Sequence, residues 1–140
     1  MTSSVLDCRI IELDRHHSHR QGDICVVENG ITIPFDVKRV YCIYDVPSGA
    51  ERGGHAHRDL QQLIVALGGS FTVVVDDGQK KRSFFLNRPD RALYVAPGIW
   101  RVLGDFSSGS VCMVLASEKY DVEDYLRDYG AFLDYRNNNG

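Results

Sequence analysis

The chain has 140 residues, 44% of them hydrophobic, which is enough to bury the core of one globular domain over residues 1–140 but too little for two. The net charge is −3, with 16 Lys and Arg residues scattered among 19 Asp and Glu residues, and this leaves no footprint for nucleic acid. No apolar run reaches the roughly 20 residues of a membrane span, and Met1 precedes polar residues rather than a signal segment, so we expect a cytoplasmic protein without a membrane partner.

Three histidines near the start of the chain, His16, His17 and His19, lie in a polar stretch before the first convincing strand. Their neighbours Arg15 and Arg20 are charged, as in a loop that faces water. We therefore interpret this stretch as a solvated loop rather than as a metal site.

Seven short runs of apolar, β-branched or aromatic residues predict β-strands. They lie at residues 24–27, 37–44, 63–67, 71–75, 83–86, 92–95 and 111–116. Most intervals between them are too short for crossover helices, and Asp77-Gly78 is a strong signal for a type I′ hairpin turn. The pattern indicates antiparallel strands in a jelly-roll barrel or sandwich.

The residue pattern changes from strand to helix after Ser117. Asp121 is a suitable N-cap, followed by acidic residues in the first turn. One face of this helix would pack on the core through Tyr125, Tyr129, Phe132 and Leu133. Gly130 is a point at which the helix would end or kink, and the polar residues 137–140 are expected to form a frayed tail.

The four cysteines occur singly, without the CxxC spacing of zinc or redox sites. They are Cys8, Cys25, Cys42 and Cys112. We expect buried free thiols, which fits a reducing compartment.

The two remaining histidines belong to a longer motif. Gly49, His55, His57, Gln62 and Gly69 have the spacing of the first cupin motif, with glutamine in place of the usual glutamate. Alternation along a strand puts His55 and His57 on the same face, towards the lumen of the barrel. The fold prediction is therefore an all-β, cupin-type jelly-roll barrel with a C-terminal helix.

The second cupin motif departs from the metal-binding pattern. Where a Pro-Gly turn normally leads to a further histidine, this chain has Pro97-Gly98-Ile99-Trp100-Arg101. A guanidinium is permanently cationic and cannot donate a lone pair to a metal, and the amide of Gln62 is a weak ligand. We predict neither a metal nor another cofactor.

Without a metal, the two imidazoles are suited to proton transfer near neutral pH. The alternative is a pair of structural barrel histidines. Arg39 and Tyr41 share a strand face, and Arg52 lies shortly before His55. Guanidinium groups beside aromatic rings suit a ligand with phosphate and hydroxyl groups, which favours a functional site.

Several segments together carry a more specific resemblance. They are residues 33–41, 52–57, 60–62, 93–97, 115–117, 120–121 and 124–127. Over roughly residues 11–135 the chain resembles the dTDP-sugar 3,4-ketoisomerases of the WxcM-like cupin family. The resemblance implies a metal-free isomerase that converts dTDP-4-keto-6-deoxyglucose to its 3-keto isomer for deoxyamino sugars of surface polysaccharides such as O-antigen. It also implies a homodimer, in which N-terminal strands are often exchanged.

The resemblance implies three catalytic side chains. His55 would remove the C3 proton, His57 would shuttle protons or hold the tautomer of His55, and Tyr41 would donate a hydrogen bond to an enediolate oxygen. The predicted substrate-binding residues are Arg39, Arg52, Gln62, Trp100, Arg101 and Gln21. Among these, Gln21 and Arg101 leave the C4 configuration of the product open.

Three other functions are compatible with the same sequence features. A sugar-nucleotide epimerase on the same scaffold would use a similar base and acid. A metal-dependent cupin dioxygenase or isomerase would need a cation at His55 and His57. A noncatalytic sugar-binding module would bind the nucleotide without turnover.

Overall fold

Antiparallel strands form the body of the protein, and one helix follows them at its C-terminal end. The computed structural model describes residues 3–139 of the chain. The strands are β1 (Arg9–Glu12), β2 (Asp14–Ser18), β3 (Gly22–Val26), β4 (Arg39–Tyr44), β5 (Arg52–His57), β6 (Gln62–Gly68), β7 (Phe71–Asp76), β8 (Lys81–Leu86), β9 (Arg91–Val95), β10 (Trp100–Gly104), β11 (Val111–Ala116) and β12 (Tyr125–Leu126). The helix is α1 (Tyr129–Asn139), and single 3₁₀ turns cover Val5–Asp7 and Val122–Asp124.

Two five-stranded sheets build the body of the fold. Their strand orders are β1-β9-β6-β11-β4 and β12-β5-β10-β7-β8, and β2 and β3 form a separate two-stranded ribbon. Fully buried aliphatic side chains, including Leu63, Val73, Leu93, Leu103 and Val114, form one continuous core. The predicted all-β jelly roll with a C-terminal helix is confirmed.

Strand β7 shows why these runs form strands. Phe71, Val73 and Val75 are wholly buried, whereas the residues between them are partly exposed, as the alternation of side chains in a half-covered sheet requires. The hairpin to β8 is present, but the left-handed conformation falls on Gly78 (φ 92°) and not on Asp77. A type I′ turn needs positive φ at both central residues, so the predicted type I′ turn at Asp77-Gly78 is wrong. The Asp77 carboxylate instead accepts the backbone N–H groups of Gln79 and Lys80.

Two of the three early histidines, His16 and His17, lie in a strand rather than in a loop, and His19 lies in the turn that follows it. β2 pairs with β3 from Asp14↔Val26 to Ser18↔Gly22, and the side chains of His16 and His17 remain exposed next to Asp14 and Asp23. The prediction of solvated histidines is confirmed, and the prediction of a loop is wrong for His16 and His17 but holds for His19. A ribbon outside the two main sheets needs no apolar face, so its sequence lacks the alternation that reveals other strands.

The C-terminal segment also differs from the prediction. Asp121 caps only the short turn Val122–Asp124, accepting the Glu123 N–H at 3.0 Å. The chain then becomes extended, because β12 pairs with β5 through Tyr125↔His57 and Leu126↔Ala56. The helix therefore begins eight residues after Asp121, at Tyr129.

Helix α1 continues through the residues that were expected to interrupt it. Gly130 lies in its first turn, where Asp128 accepts the Ala131 N–H at 2.9 Å. Residues 137–139, assigned to a frayed tail, belong to the helix, and Gly140 lies outside the described residues. No helix of residues 3–139 is long and apolar enough to cross a membrane.

All four cysteines are free thiols, but only two are buried. Burial raises the pKa of Cys8 to about 11 and that of Cys112 to about 12. Cys25 is half-buried, and Cys42 is exposed on β4, whose side chains alternate in exposure. The expectation of buried thiols holds for Cys8 and Cys112 and is wrong for Cys42.

Phe132 attaches α1 to the sheet, since its side chain is wholly buried beside Leu126 and Trp100. Phe132→Ala is expected to lower the free energy of unfolding by about 3 kcal/mol, because it removes a buried ring and leaves a cavity. Urea unfolding would measure the loss. Phe85→Ala is the matched control, because 61% of Phe85 is already exposed, and an equal effect of both changes would contradict this role.

Candidate active site

The candidate site lies where β4, β5, β10 and β12 meet on the inner side of the barrel. Strand register brings Arg101 opposite His55 and Tyr125 opposite His57. A cavity of about 340 Å³ opens over them. Its polar and aromatic lining consists of Arg39, Tyr41, Arg52, His55, Arg101, Tyr120, Tyr125 and Arg127.

Arg101 is a fully buried cation at the centre of this site. Its Nη2 donates hydrogen bonds to Tyr41 Oη at 2.8 Å and to His55 Nε2 at 3.1 Å. Because guanidinium can only donate, His55 Nε2 must be the acceptor and the imidazole proton must sit on Nδ1. Within residues 3–139, the Nε and Nη1 atoms of Arg101 have no hydrogen-bond partner.

Gly53 makes room for this guanidinium. A Cβ atom at Gly53 would lie 2.6 Å from Arg101 Nη1, and the backbone there has φ +72°. Both the close approach and the left-handed conformation therefore require glycine.

Both histidines are held in the neutral state. Burial, followed by the Arg101 charge, lowers the pKa of His55 to about 2. The same two causes lower the pKa of His57, although the Asp124 carboxylate opposes them. At pH 7 the site therefore presents neutral imidazoles beside a permanent positive charge.

His57 lies behind His55 and is only 2% exposed. The two rings are perpendicular with centroids 4.9 Å apart, and the Tyr125 ring lies 4.2 Å from His57 and 5.2 Å from His55. His57 Nδ1 is 3.1 Å from Asp124 Oδ2. His57 is therefore joined to the site through its neighbours and does not line the cavity.

Arginines and tyrosines form the mouth of the cavity. Arg39 donates to Tyr125 Oη at 3.1 Å and lies 5.2 Å above the centroid of the Tyr41 ring. Arg127 lies 4.0 Å above the Tyr125 ring, and Arg52 is exposed at the rim. The described lining residues include four guanidinium groups and no carboxylate, so the cavity suits an anionic ligand.

Some predicted site residues lie elsewhere in the monomer. Trp100 faces away from the cavity and packs on Tyr129 and Phe132 with ring centroids 5.2 and 5.5 Å apart. Because neighbours on a strand point to opposite faces, the inward position of Arg101 sends Trp100 outward. Gln21 is exposed in the turn between β2 and β3. Trp100 is therefore not part of the lining of this cavity in the single chain.

Gln62 is buried at the start of β6 but is not part of the cavity lining. No group of residues 3–139 hydrogen-bonds to its Oε1 atom. The structure thus keeps Gln62 in the interior and leaves its predicted contact with substrate unsupported in the single chain.

The C-terminal segment supplies site residues that residue-by-residue reasoning missed. Tyr120, Tyr125 and Arg127 line the cavity, and Asp124 contacts His57. The expected helix assigned Tyr125 to a core stripe, whereas β12 turns its ring towards the histidines. The available signal was the family resemblance, which includes residues 120–121 and 124–127.

The polar groups at the site do not make a cation site. His55 Nε2 already accepts a hydrogen bond from Arg101, and the guanidinium would repel a metal ion. No group of three or more His, Cys, Asp or Glu side chains in the part of the chain that the structure describes is arranged to hold a metal.

A jelly roll that carries a His-x-His pair on its inner face defines a cupin. Comparison with known families is more specific: residues 6–137 match the model described as FdtA, WxcM-like, C-terminal. The chain belongs to this WxcM-like family.

Similar proteins with recorded activities are 3,4-ketoisomerases. TDP-4-oxo-6-deoxy-alpha-D-glucose-3,4-oxoisomerase of Aneurinibacillus thermoaerophilus is 44% identical over 115 residues, 82% of this chain and 83% of that protein. The crystal structure of a 3,4-ketoisomerase from Helicobacter canadensis has a TM-score of 0.90 at 39% identity and covers 94% of this chain and 98% of that one.

QdtA, a sugar 3,4-ketoisomerase from Thermoanaerobacterium thermosaccharolyticum in complex with TDP, has a TM-score of 0.92 at 34% identity and covers 97% of this chain and 98% of that chain. A variant of QdtA with asparagine in place of a histidine is known in complex with TDP-4-keto-6-deoxyglucose. A sugar epimerase of Mycobacterium tuberculosis is more distant, with a TM-score of 0.72 at 22% identity, and its likeness shows the fold alone.

The depressed pKa of His55 predicts an acid-sensitive fold. The folded site binds no proton there until about pH 2, whereas the unfolded chain binds one near its ordinary pKa of 6.5, so stability is lost as the pH falls below 6.5. Lowering the pH from 7 to 5 should cost about 2 kcal/mol through His55 alone.

Urea unfolding of the wild type and His55→Asn at both pH values would measure this effect. The variant should lose about 2 kcal/mol less than the wild type between pH 7 and pH 5. An identical pH dependence in the two proteins would show that His55 is not held neutral by the fold.

Proposed function

We propose that this protein is a metal-independent sugar-nucleotide 3,4-ketoisomerase that converts dTDP-4-keto-6-deoxyglucose to its 3-keto isomer. The observation that carries the proposal is a neutral His55 beside Tyr41 and the Arg101 cation in an arginine-lined cavity. The 44% identical relative with a 3,4-oxoisomerase name supports the same reaction.

The diphosphate of the nucleotide binds at the arginine-rich mouth. Arg39 and Arg52 contact phosphate oxygens, since guanidinium groups form strong charge-assisted hydrogen bonds to phosphate. Tyr120 and Tyr125 offer aromatic faces to the thymine or the sugar. The complex of QdtA with TDP supports this assignment of the ligand.

The chemical step begins at sugar C3, whose proton is acidified by the C4 carbonyl. His55 Nε2 takes this proton as it gives up the hydrogen bond from Arg101, and the electron pair of the C–H bond forms an enediolate. Tyr41 Oη accepts from Arg101, so its own O–H is free to donate to the enediolate oxygen. The proton held by His55 is then delivered to C4, and the C3 hydroxyl loses its proton to the C4 oxygen, which yields the 3-keto sugar with a C4 hydroxyl and requires no oxidant or reductant.

Arg101 assists this step electrostatically. Its buried charge stabilises negative charge that develops on the enediolate oxygens and keeps His55 neutral in the resting site. His57 supports proton movement from behind His55. Trp100 acts through its packing under α1 rather than by contact with substrate.

The protein acts as a single-domain homodimer in the cytoplasm. Four free cysteines support a reducing compartment. The β2–β3 ribbon stands apart from the two main sheets, and Ile24 on it is 65% exposed, which supports exchange of N-terminal strands with a second copy. In such a dimer Gln21, at the tip of the ribbon, reaches the site of the partner subunit.

His55→Asn is expected to lower turnover by about a hundredfold to ten-thousandfold, because a positioned general base typically contributes that much. TDP binding should remain within about twofold, since the base contributes little to phosphate contacts. Proton NMR in heavy water would follow migration of the keto group and entry of deuterium at C4 of the product. The QdtA histidine-to-asparagine variant in complex with TDP-4-keto-6-deoxyglucose supports retained binding.

His16→Asn is the matched control, since His16 is exposed on β2, outside the cavity lining. Full activity of His55→Asn would contradict the assigned base. Inversion at C5 without keto migration would instead establish an epimerase, and TDP binding without any turnover would establish a binding module.

The oligomeric state is tested separately by light scattering coupled to size exclusion. A species of twice the chain mass is expected at micromolar concentration, and Ile24→Glu should shift it towards monomer because the ribbon then carries a charge into the interface. A monomeric wild type would contradict the proposed dimer.

A further inference from the structure

Asp124 joins the turn Val122–Asp124 to residues 57–60 at the back of the site. Its Oδ2 lies 3.1 Å from His57 Nδ1, and its Oδ1 accepts the Asp59 N–H at 2.8 Å. Oδ2 also receives a longer contact of 3.4 Å from the Leu60 N–H, and the backbone carbonyl of Asp124 accepts the Arg58 N–H at 2.9 Å. The carboxylate is thus fixed by groups that do not move with the substrate.

These contacts determine where His57 carries its proton. An ionised carboxylate accepts hydrogen bonds and cannot donate one, so His57 Nδ1 must be protonated and donate to Asp124. In the neutral imidazole the lone pair is then on Nε2. That atom is buried, and within residues 3–139 it has no hydrogen-bond partner.

We propose that Asp124 is a positioning residue of the isomerisation, which holds His57 with its proton on Nδ1 and its Nε2 lone pair free to accept and return a proton inside the site. This inference rests on the proposed function for its effect on turnover. The tautomer itself is a property of the protein alone and does not depend on which reaction the protein catalyses.

The same residue positions Tyr125. Asp124 ends the short turn Val122–Asp124, and Tyr125 follows as the first residue of β12. The hydrogen bonds between Asp124 and residues 58–60 hold this turn in place. They therefore also position β12, which places the Tyr125 ring 4.2 Å from His57. A change in charge at Asp124 is expected to alter His57 first, since the backbone contact with Arg58 is independent of the side chain.

Asp124→Asn is the discriminating variant. The 2.8 Å contact from the Asp59 N–H requires an oxygen in the place of Oδ1, which leaves the amide NH₂ facing His57 Nδ1. An NH₂ group donates, so Nδ1 must become an acceptor and the proton must move to Nε2. The substitution preserves side-chain size while reversing the tautomer.

Asp121→Asn is the matched control in the same turn. Asp121 is exposed and serves as N-cap to the Glu123 N–H at 3.0 Å, a role that asparagine fills equally well. Both Asp124→Asn and Asp121→Asn remove a carboxylate from this part of the chain, but only Asp124→Asn removes the partner of His57. Comparing the two variants therefore distinguishes these effects.

Long-range ¹H–¹⁵N NMR of ¹⁵N-histidine-labelled protein reads the tautomer directly, with His57→Gln used to assign the signals. The wild type and Asp121→Asn should show His57 protonated on Nδ1, and Asp124→Asn should show the proton on Nε2. An Nε2-protonated His57 in the wild type would overturn the proposal even if Asp124→Asn failed to fold.

Kinetics with dTDP-4-keto-6-deoxyglucose test the consequence for the reaction. Asp124→Asn should lower kcat about a hundredfold, with KM and the Kd for TDP within about twofold, since Asp124 does not line the cavity. Asp121→Asn should match the wild type. A reversed tautomer with unchanged kcat would refute the role in catalysis, whereas an inactive wild type with the expected tautomer would refute the proposed function and leave the Asp124–His57 pairing intact.

Discussion

The buried charge of Arg101 is the constraint on which the rest of the site depends. A guanidinium without exposure must be hydrogen-bonded or paired, and this one donates to Tyr41 and His55 from a single nitrogen. That geometry fixes the tautomer of His55, and the Arg101 charge adds to burial in lowering the pKa of His55. One side chain thereby determines which His55 nitrogen is the acceptor and places a permanent positive charge beside it.

The sheets make this arrangement possible through register. Arg101 is opposite His55, and the short strand β12 lies on the other side of β5 with Tyr125 opposite His57. Each histidine therefore has its own cross-strand partner, a cation for the first and an aromatic ring for the second. Asp124 enters from the turn before β12, so the two imidazoles sit in different electrostatic environments although they are two residues apart.

Sequence reasoning found the strands whose apolar residues alternate, such as β7, and the pair His55 and His57 through the spacing of the cupin motif. It missed features that depend on tertiary pairing. Tyr125 has a helical spacing with Phe132, and only pairing with β5 makes its segment extended. Because neighbouring side chains on a strand point to opposite faces, the inward position of Arg101 was by itself enough to predict that Trp100 points outward. Gln21 lies in the exposed turn between β2 and β3 and does not line the cavity of its own chain, which no pattern in the sequence indicated.

The exposure of Cys42 on β4 has a practical consequence. Cys42 follows Tyr41 on β4 and is among the residues that border the cavity, with its side chain on the strand face opposite to that of Tyr41. Burial keeps Cys8 and Cys112 protonated and shielded. A maleimide dye would attach there ahead of the buried thiols. The native sequence thus provides an accessible thiol beside the cavity, to which a fluorescent label can be attached without introducing a new cysteine.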